Sequence, residues 1–548
     1  MPVVQYPLHD LKALVGASAD EIIDAMETLG CEVEVVDNDV KVELSPNRPD
    51  MFCVEGLARA VRAILGIEEG MRKYDVEEGG IVIKLSEEVR DVRPYIVGAE
   101  IVGVKMSNEL IQSLMNAQEK LHATIGRDRR KLAIGVHDIS DVEPPFYYRA
   151  VPPSSYAFIP LGEDEEMTLE EILVRHEKGL KYAHILRGKK LYPILHDKNG
   201  TVLSFPPIIN GVHTMVKEDT EHMFIDITGH DLYAMSVALN ILVTALADRG
   251  GKILSVKIQG ASEEIITPNL SPQTISVHPK YVHRISGLSL KKKDIVRYLK
   301  RMGHDAVDDG DEITVYIPRY RWDIMHPIDI VEEVTIAYGY NKIAPVLPTR
   351  SKFGSITPKT RFVRMCRRIM IGLGYQEVTT LTLTSWPTQY DLMRILRNPS
   401  TTAVSNPVSE EYCVLRTWLI PSLLKILGKN KHVDMPQKIF EIGYVVLNHK
   451  NEYRMGYTTT HSRSSFTEIK STTEAIMREL GIRKYCVERK KHGSFILGRC
   501  ASINVNGEEV AFFGEIHPEV LTNFDIDHPT AAGEINLEKI FKRLHAEK

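Results

Sequence analysis

The chain has 548 residues, with 68 Lys and Arg against 73 Asp and Glu and a net charge of −5 at neutral pH. It is 43% hydrophobic and 26% charged, ample apolar material for several cores, which excludes disordered and fibrous classes. With so even a balance no global field draws the chain to nucleic acid, so any such contact must come from local basic patches.

At roughly 150 residues per domain, about three or four domains are expected. The six cysteines, at 31, 53, 366, 413, 486 and 500, form no C-x-x-C pair. That argues against a disulfide scaffold or a zinc–thiolate site and fits a reducing cytosol, so a cytoplasmic location is expected. No basic segment followed by an apolar run opens the sequence, so no export signal is expected. The most apolar stretch, 233–247, is shorter than the ~20 residues that span a bilayer. Ser236, Asn240 and Thr244 put a polar stripe along it, as in a buried helix, and no membrane partner is expected. Phosphate-loop, G-x-G-x-x-G, H-E-x-x-H and G-x-S-x-G signatures are all absent, which removes simple nucleotidase, dehydrogenase, zinc protease and serine hydrolase readings.

In chain order, 20–29 has helical spacing and stops at Gly30, 32–36 and 40–44 read as strands, and 54–65 reads as a helix ending at Gly66. From Arg93 to about Gly260 strands and hairpins dominate, with helices at 110–122, 169–176 and 232–247. Asn199-Gly200 and Asn210-Gly211 each lie between apolar runs, and a hairpin is predicted over both because type I′ turns need positive φ at the two central residues. The proline-marked stretch 267–272 opens a unit with a helix at 291–302, a hairpin over Asp309-Gly310 and a helix at 328–338, a winged-helix-like arrangement. A second such joint, 344–349, leads to helices such as 360–373 and strands such as 438–447, an α+β unit around an antiparallel sheet. The domains expected are 1–88 (an N-terminal α/β domain), 89–262, 263–345 and 346–548.

The most specific chemistry lies at 319–343. Asp329, Glu332 and Glu333 fall at i, i+3 and i+4 of a helix, with Asp323 on the chain entering it. Like charges at that spacing repel, and a hard divalent cation with oxygen ligands, Mg²⁺ rather than zinc, would offset the repulsion. An acidic first turn complementing the helix dipole, or pairing with Arg319 and Arg321, explains the same residues.

The segment RWDIMHPIDIVEEVTIAYGYNKI (321–343) resembles the phenylalanyl-tRNA synthetase β subunit, in its archaeal and eukaryotic form. VELSPNRPDMFCVEGLARAV (42–61), GRDRRKLAIGVHDIS (126–140), SFPPIINGV (204–212), SNPVSEEYCVLRTWLIPSLLKIL (405–427) and KIFEIGYVV (438–446) resemble further segments of that family, in order along essentially the whole chain. The resemblance implies an α2β2 tetramer with an α subunit that joins phenylalanine to tRNA(Phe) using ATP, the aminoacylation being carried by α. It implies a class II synthetase-like core without a working active site at 346–548. In keeping with that, Phe440-Glu441-Ile442-Gly443 has a glutamate where the family's ATP-binding arginine is expected, and no G-x-G-x-G-x-x-R follows. No aminoacylation residue is therefore assigned here. The resemblance also implies Mg²⁺ at Asp323, Asp329, Glu332 and Glu333, at the contact with α.

The family places an editing site in the middle domain, here 89–262, which hydrolyses mischarged tyrosyl-tRNA(Phe). An apolar pocket rejects an added hydroxyl by only about a hundredfold, so a second, hydrolytic site is the physical remedy. The matching candidates are Asp226, to polarise water or bind the ammonium group, with Thr228 and Ser204 to hold the ester or the phenol hydroxyl. Thr228 with Asp231 also reads as a capping box, and Ser204 as a surface-strand residue. The run Arg127, Arg129, Arg130, Lys131, with His122 and His137 nearby, is the densest basic patch of this domain. It is the candidate contact for tRNA phosphates, against a plain solvated loop. Two other classes stand beside the editing subunit: a non-catalytic scaffold with decayed editing, and a free-standing tRNA deacylase.

Overall fold

Residues 2–260, 264–347 and 353–546 are described by a computed structural model, in which the chain divides into two units, Met1–Val346 and Leu347–Lys548. The joint expected at 344–349 falls at this division, although 348 and 349 lie outside the described residues. The fold is mixed α+β with two large sheets.

The first unit opens with a three-stranded antiparallel sheet in which Asp39–Glu43 lies between Val3–Pro7 and Glu32–Val36. The helix Ala19–Thr28 begins at Ser18, whose side chain accepts from the Glu21 N–H while Glu21 reaches back, a complete capping box. The helix Val54–Leu65 ends at Gly66, whose φ of 77° is the left-handed stop that a glycine supplies. Its Gly56 lies against the turn Pro49–Phe52, where an added Cβ would come 1.7 Å from the Asp50 carbonyl oxygen.

The dominant sheet has eleven strands. Along its main path run Ile209–Asn210, Val202–Phe205, Tyr192–His196, Phe146–Val151, Val82–Leu85, Lys252–Gln259, Tyr95–Val102, His222–Gly229 and Leu132–Asp138. The buried helix Leu232–Asp248 packs within one apolar cluster with Val97, Ile225 and Ile227, and a second cluster holds Phe146, Leu195 and Phe224. Asn199-Gly200 turns the predicted hairpin, with Gly200 at φ 90°. Asn210-Gly211 does not: Asn210 is paired back onto Ser204, so the reversal lies at Pro206–Ile208, and Gly211 has an ordinary extended backbone leading into the short 3-10 helix Val212–Thr214. The Asn-Gly pair misled because the two prolines upstream already reverse the chain.

A third sheet, Gln273–Val277, Ile313–Ile317 and Asp305–Asp308, carries three helices, Pro279–Ser286, Lys292–Arg301 and Pro327–Tyr338. The first of these is absent from the sequence-based expectations: it is only eight residues long, PKYVHRIS, begun by Pro279 and ended at Gly287.

The second unit is built on a seven-stranded sheet of order Gln376–Glu377, Gln437–Leu447, Lys450–Thr460, Thr530–Asn536, Glu508–Ile516, Phe495–Val505, Cys486–Arg489. It is antiparallel apart from the first pair. Helices Pro358–Gly372, Phe466–Glu479 and Leu537–Ala546 share a core with this sheet through Phe362, Ile469 and Ile540.

The Gly56 contact gives a direct check on packing in the first unit. Gly56→Ala should lower the urea midpoint of the full chain by the equivalent of about 1–3 kcal/mol, the cost of overpacking. An unchanged midpoint would mean that the 49–52 turn yields freely.

Candidate functional site

A cavity of about 510 Å³ lies in the first unit. Its walls include Gly135, Asp226 and Thr228 from the large sheet, Ser204 and Thr214 from the hairpin segment, and Arg129 from the loop before the Leu132–Asp138 strand. Residues alternate between the faces of a strand, so Asp226 and Thr228 in His222–Gly229 face the same way, toward the cavity. The structure thus brings together the three residues singled out for ester chemistry.

Asp226 is 1% exposed. In the sheet it lies opposite Gly98 on one side and Gly135 on the other. A Cβ at Gly135 would approach Asp226 Oδ1 to 2.3 Å and His137 Nε2 to 2.6 Å, so the glycine makes the room in which carboxylate and imidazole meet. His137 Nε2 lies 2.7 Å from Asp226 Oδ1, and its Nδ1 lies 2.8 Å from Thr214 Oγ1. Asp226 Oδ2 has no hydrogen bond among the described residues.

Ser204 is buried, not a surface-strand residue, and its Oγ has no partner among the described residues. Thr228 Oγ1 accepts from Arg93 Nε at 2.9 Å. Arg93 Nη2 also donates to the Thr228 carbonyl at 2.7 Å, and burial pulls this guanidinium down to about 10. Thr228 does not cap the following helix. That role belongs to Asp231, whose Oδ1 accepts from the Ala234 N–H at 2.9 Å.

The basic residues do not form one face, and the expectation of a shared phosphate surface is corrected accordingly. Arg127 and Arg130 are exposed, but His122 and His137 are buried and Arg129 is buried in the cavity wall. Arg129 donates to Glu119 Oε1 at 2.7 Å and to the Ile208 carbonyl at 2.8 Å, with its guanidinium 4.5 Å from the centre of the Tyr182 ring. His122 Nε2 accepts from the Ile134 N–H at 2.8 Å. Burial pushes His122 down to about 4, so it is neutral near pH 7. Glu119 is held down to about 2 by its hydrogen bond with His122 and by the Arg129 charge.

In the acidic cluster, Arg321 donates to both oxygens of Asp323 (2.8 and 2.6 Å) and of Glu333 (2.9 and 3.0 Å). His304 Nε2 lies 2.9 Å from Glu333. Burial opposes ionisation of Glu333, but Arg321 and His304 hold its carboxyl well below the usual range. Asp329 Oδ2 accepts from the backbone N–H groups of Met325 and His326, closing the helix start. Among the described residues, Glu332 has no such partner. Partial burial and the charges of Glu333, Asp329 and Asp323 push its carboxyl up, against the opposing charge of Arg321. Among the described residues, no three His, Cys, Asp or Glu side chains converge as a ready metal site.

In the second unit, Glu441 is buried against Arg416 (2.7 Å) and accepts from the Thr380 hydroxyl at 2.6 Å. Arg416 donates onward to the Tyr444 carbonyl, and Gly443 leaves it room, since a Cβ there would lie 2.2 Å from Nη2. The glutamate therefore serves a closed internal network.

Sequence reasoning missed Gly135, Thr214 and Arg93. A lone glycine inside a strand pattern signals close approach of another group, so Gly135 was findable. Thr214 and Arg93 carried no local signal, because their partners lie 77 and 135 residues away.

The chain matches the family model described as the phenylalanyl tRNA synthetase beta chain CLM domain over residues 343–537 and the tRNA synthetase B5 domain over 275–340. It is 45% identical over 544 residues to the phenylalanine–tRNA ligase beta subunit of Archaeoglobus fulgidus, covering 99% of each chain. The beta subunit of Methanococcoides burtonii is 41% identical, with 98% of this chain and all of the relative covered. An N-terminal fragment of the phenylalanyl-tRNA synthetase beta subunit from Pyrococcus horikoshii superposes with a TM-score of 0.60 and 40% identity, covering 62% of this chain and all of the fragment.

The His122 environment predicts a pH dependence. The folded value, about 4, lies below the ordinary 6.5. Between these values the unfolded chain binds a proton that the folded chain refuses, so stability falls as pH is lowered from 6.5 toward 4. His122→Gln should remove roughly 3 kcal/mol of that loss, read as a smaller drop in urea midpoint between pH 7 and pH 4. An identical drop in both proteins would refute the buried neutral imidazole.

Proposed function

The chain belongs to the phenylalanine–tRNA ligase beta-subunit family, a component of an aminoacyl-tRNA synthetase, and on that premise we propose that its first unit hydrolyses tyrosine wrongly esterified to tRNA(Phe). The observation that carries this reading is the cavity in which a buried carboxylate with one free oxygen meets two hydroxyls, Ser204 and Thr228. Its volume of about 510 Å³ falls within the range of small-molecule sites and suits an aminoacyl group with part of its ribose.

Hydrolysis needs little more from the protein than orientation and one proton acceptor. Asp226 Oδ2 takes a proton from water as the water oxygen adds to the ester carbonyl carbon. The tetrahedral adduct then collapses, breaking the bond to the ribose oxygen. That oxygen takes a proton back, leaving tyrosine and a free tRNA end. The Thr228 hydroxyl, its oxygen engaged by Arg93, donates toward the ester oxygen, and the unpartnered Ser204 hydroxyl meets the phenol. The remaining tRNA contacts fall to Arg127 and Arg130, the exposed members of the basic run.

The rest of the assignment follows the family. Residues 89–262 form the editing domain, 263–345 a winged-helix-like domain, and 346–548 a synthetase-like core without a working active site that packs against an α subunit in an α2β2 tetramer. Aminoacylation of tRNA(Phe) with phenylalanine and ATP is then the work of α. The acidic cluster offers only carboxylate oxygens, as Mg²⁺ prefers: Arg321 pairs with Asp323 and Glu333, and the neighbouring carboxylates push Glu332 up. Glu332 and Asp329 would hold the ion, with Asp323 and Glu333 shared with Arg321.

Two measurements test this reading. The full chain, alone and with its α partner, should release tyrosine from tyrosyl-tRNA(Phe), and Asp226→Ala should slow release by about 10²–10⁴-fold, the range for loss of a general base; an unchanged rate would discard the assignment. Calorimetric titration with Mg²⁺ should show binding by the assembled protein that Glu332→Gln weakens. Equal affinity in both would remove the cation from this cluster.

A further inference from the structure

Among the groups around the cavity, one makes contact with two of its walls and has no role in the chemistry above. His137 lies on the Leu132–Asp138 strand, 0% exposed, with one ring nitrogen 2.7 Å from Asp226 on the sheet and the other 2.8 Å from Thr214 on the hairpin segment. We propose that His137 is the positioning residue of this site, fixing the Asp226 carboxylate by one oxygen so that the other is presented to water in the cavity. The inference rests on the hydrolytic reading of the same cavity and deepens it.

The argument begins with the hydrogens. Asp226 as a carboxylate only accepts, so the ring nitrogen facing it, Nε2, must carry a proton. Nδ1 then accepts from Thr214, whose single hydroxyl proton is best used at 2.8 Å; the carbonyls of Gly211 and Leu203, at 3.4 and 3.5 Å, are poorer alternatives. Thr214 thus selects the tautomer that can donate to Asp226, as the partner of the second ring nitrogen generally does. The assignment leaves both ring nitrogens satisfied and one carboxylate oxygen open.

The backbone is shaped around this contact. Gly135, two residues before His137 on the same strand face and directly opposite Asp226, is the position where any side chain would meet both groups. Phe224, opposite His137 in the register, stacks near the imidazole with centroids 6.2 Å apart, so the ring cannot swing away. A buried imidazole gripped on three sides and aimed at a carboxylate of the cavity wall is arranged for orientation. Errors of about 1 Å in the placement of a reacting group cost on the order of 10²-fold in rate, so the expected effect is large.

The test uses the full chain with its partner subunit and steady-state release of tyrosine from tyrosyl-tRNA(Phe). His137→Leu removes the N–H and should lower kcat by about 10²-fold with KM little changed, because Asp226 is misaligned but substrate contacts remain. His137→Gln, whose amide N–H can reach the same oxygen, should restore most of that loss. Thr214→Val keeps the imidazole but frees its tautomer and should give an intermediate loss; it stands in if His137→Leu fails to fold. The ¹⁵N resonances of His137 in the unmodified protein should report a protonated Nε2 and an unprotonated Nδ1. Wild-type kcat in His137→Leu and Thr214→Val, failure of His137→Gln to restore activity, or the opposite tautomer would overturn the role. If instead the unmodified protein and Asp226→Ala release tyrosine equally, the hydrolytic reading itself falls, an outcome separable from the first because it does not involve His137.

Discussion

Burying a carboxylate inside a sheet costs several kcal/mol unless hydrogen bonds compensate it, and Asp226 is buried in the middle of the largest sheet of this protein. Much of the surrounding sequence answers that constraint. Glycines at 98 and 135 flank it on the neighbouring strands, and His137 supplies the hydrogen bond. Because only one oxygen is satisfied, the compensation is incomplete, and the open oxygen faces a cavity with two hydroxyls. A purely structural carboxylate would be expected to saturate both oxygens, as the Glu441 network with Arg416 and Thr380 in the second unit does.

Positive charge beneath and beside the cavity is organised by a second constraint, a strained loop. Arg127, Asp128 and Arg129 take φ values of 49°, 53° and 64° in succession, a conformation that costs roughly 1–3 kcal/mol per non-glycine residue when nothing offsets it. The offset is visible in Arg129, which bonds Glu119 and the Ile208 carbonyl and covers Tyr182. The left-handed run turns Arg129 inward, to brace the hairpin segment that carries Ser204, while Arg127 and Arg130 stay in water. A four-residue basic run is thereby divided between architecture and surface, which no charge count could reveal.

Most elements were legible in the sequence. Helices at 54–65, 232–247 and 328–338 and the strand at 438–447 agree with the structure to within a residue or two, because long amphipathic or uniformly apolar stretches ended by glycine leave little choice of conformation. The failures have local causes. Asn210-Gly211 was read as a turn, but Pro206-Pro207 had already reversed the chain. Thr228 has the spacing of a cap, but it lies three residues too early, inside a strand, and Asp231 takes the helix start. Within the site, Ser204 emerged from a segment of family resemblance, and Asp226 and Thr228 as polar residues on the strand that leads into the 232–247 helix. The pair that organises them, His137 and Thr214, did not, because long-range hydrogen bonds leave no mark on spacing, and His137 was grouped with the surface cations beside it.

The central claim is that this cavity receives the tyrosyl end of tRNA. It is tested most directly by binding a stable amide analogue of 3′-tyrosyl adenosine to the full chain and determining the structure of the complex. The account predicts the tyrosyl group inside the cavity, its carbonyl within reach of Thr228 and its phenol near Ser204, with Asp226 still held by His137. Binding at a different surface, or no binding at concentrations that saturate hydrolysis of the parent ester, would contradict it.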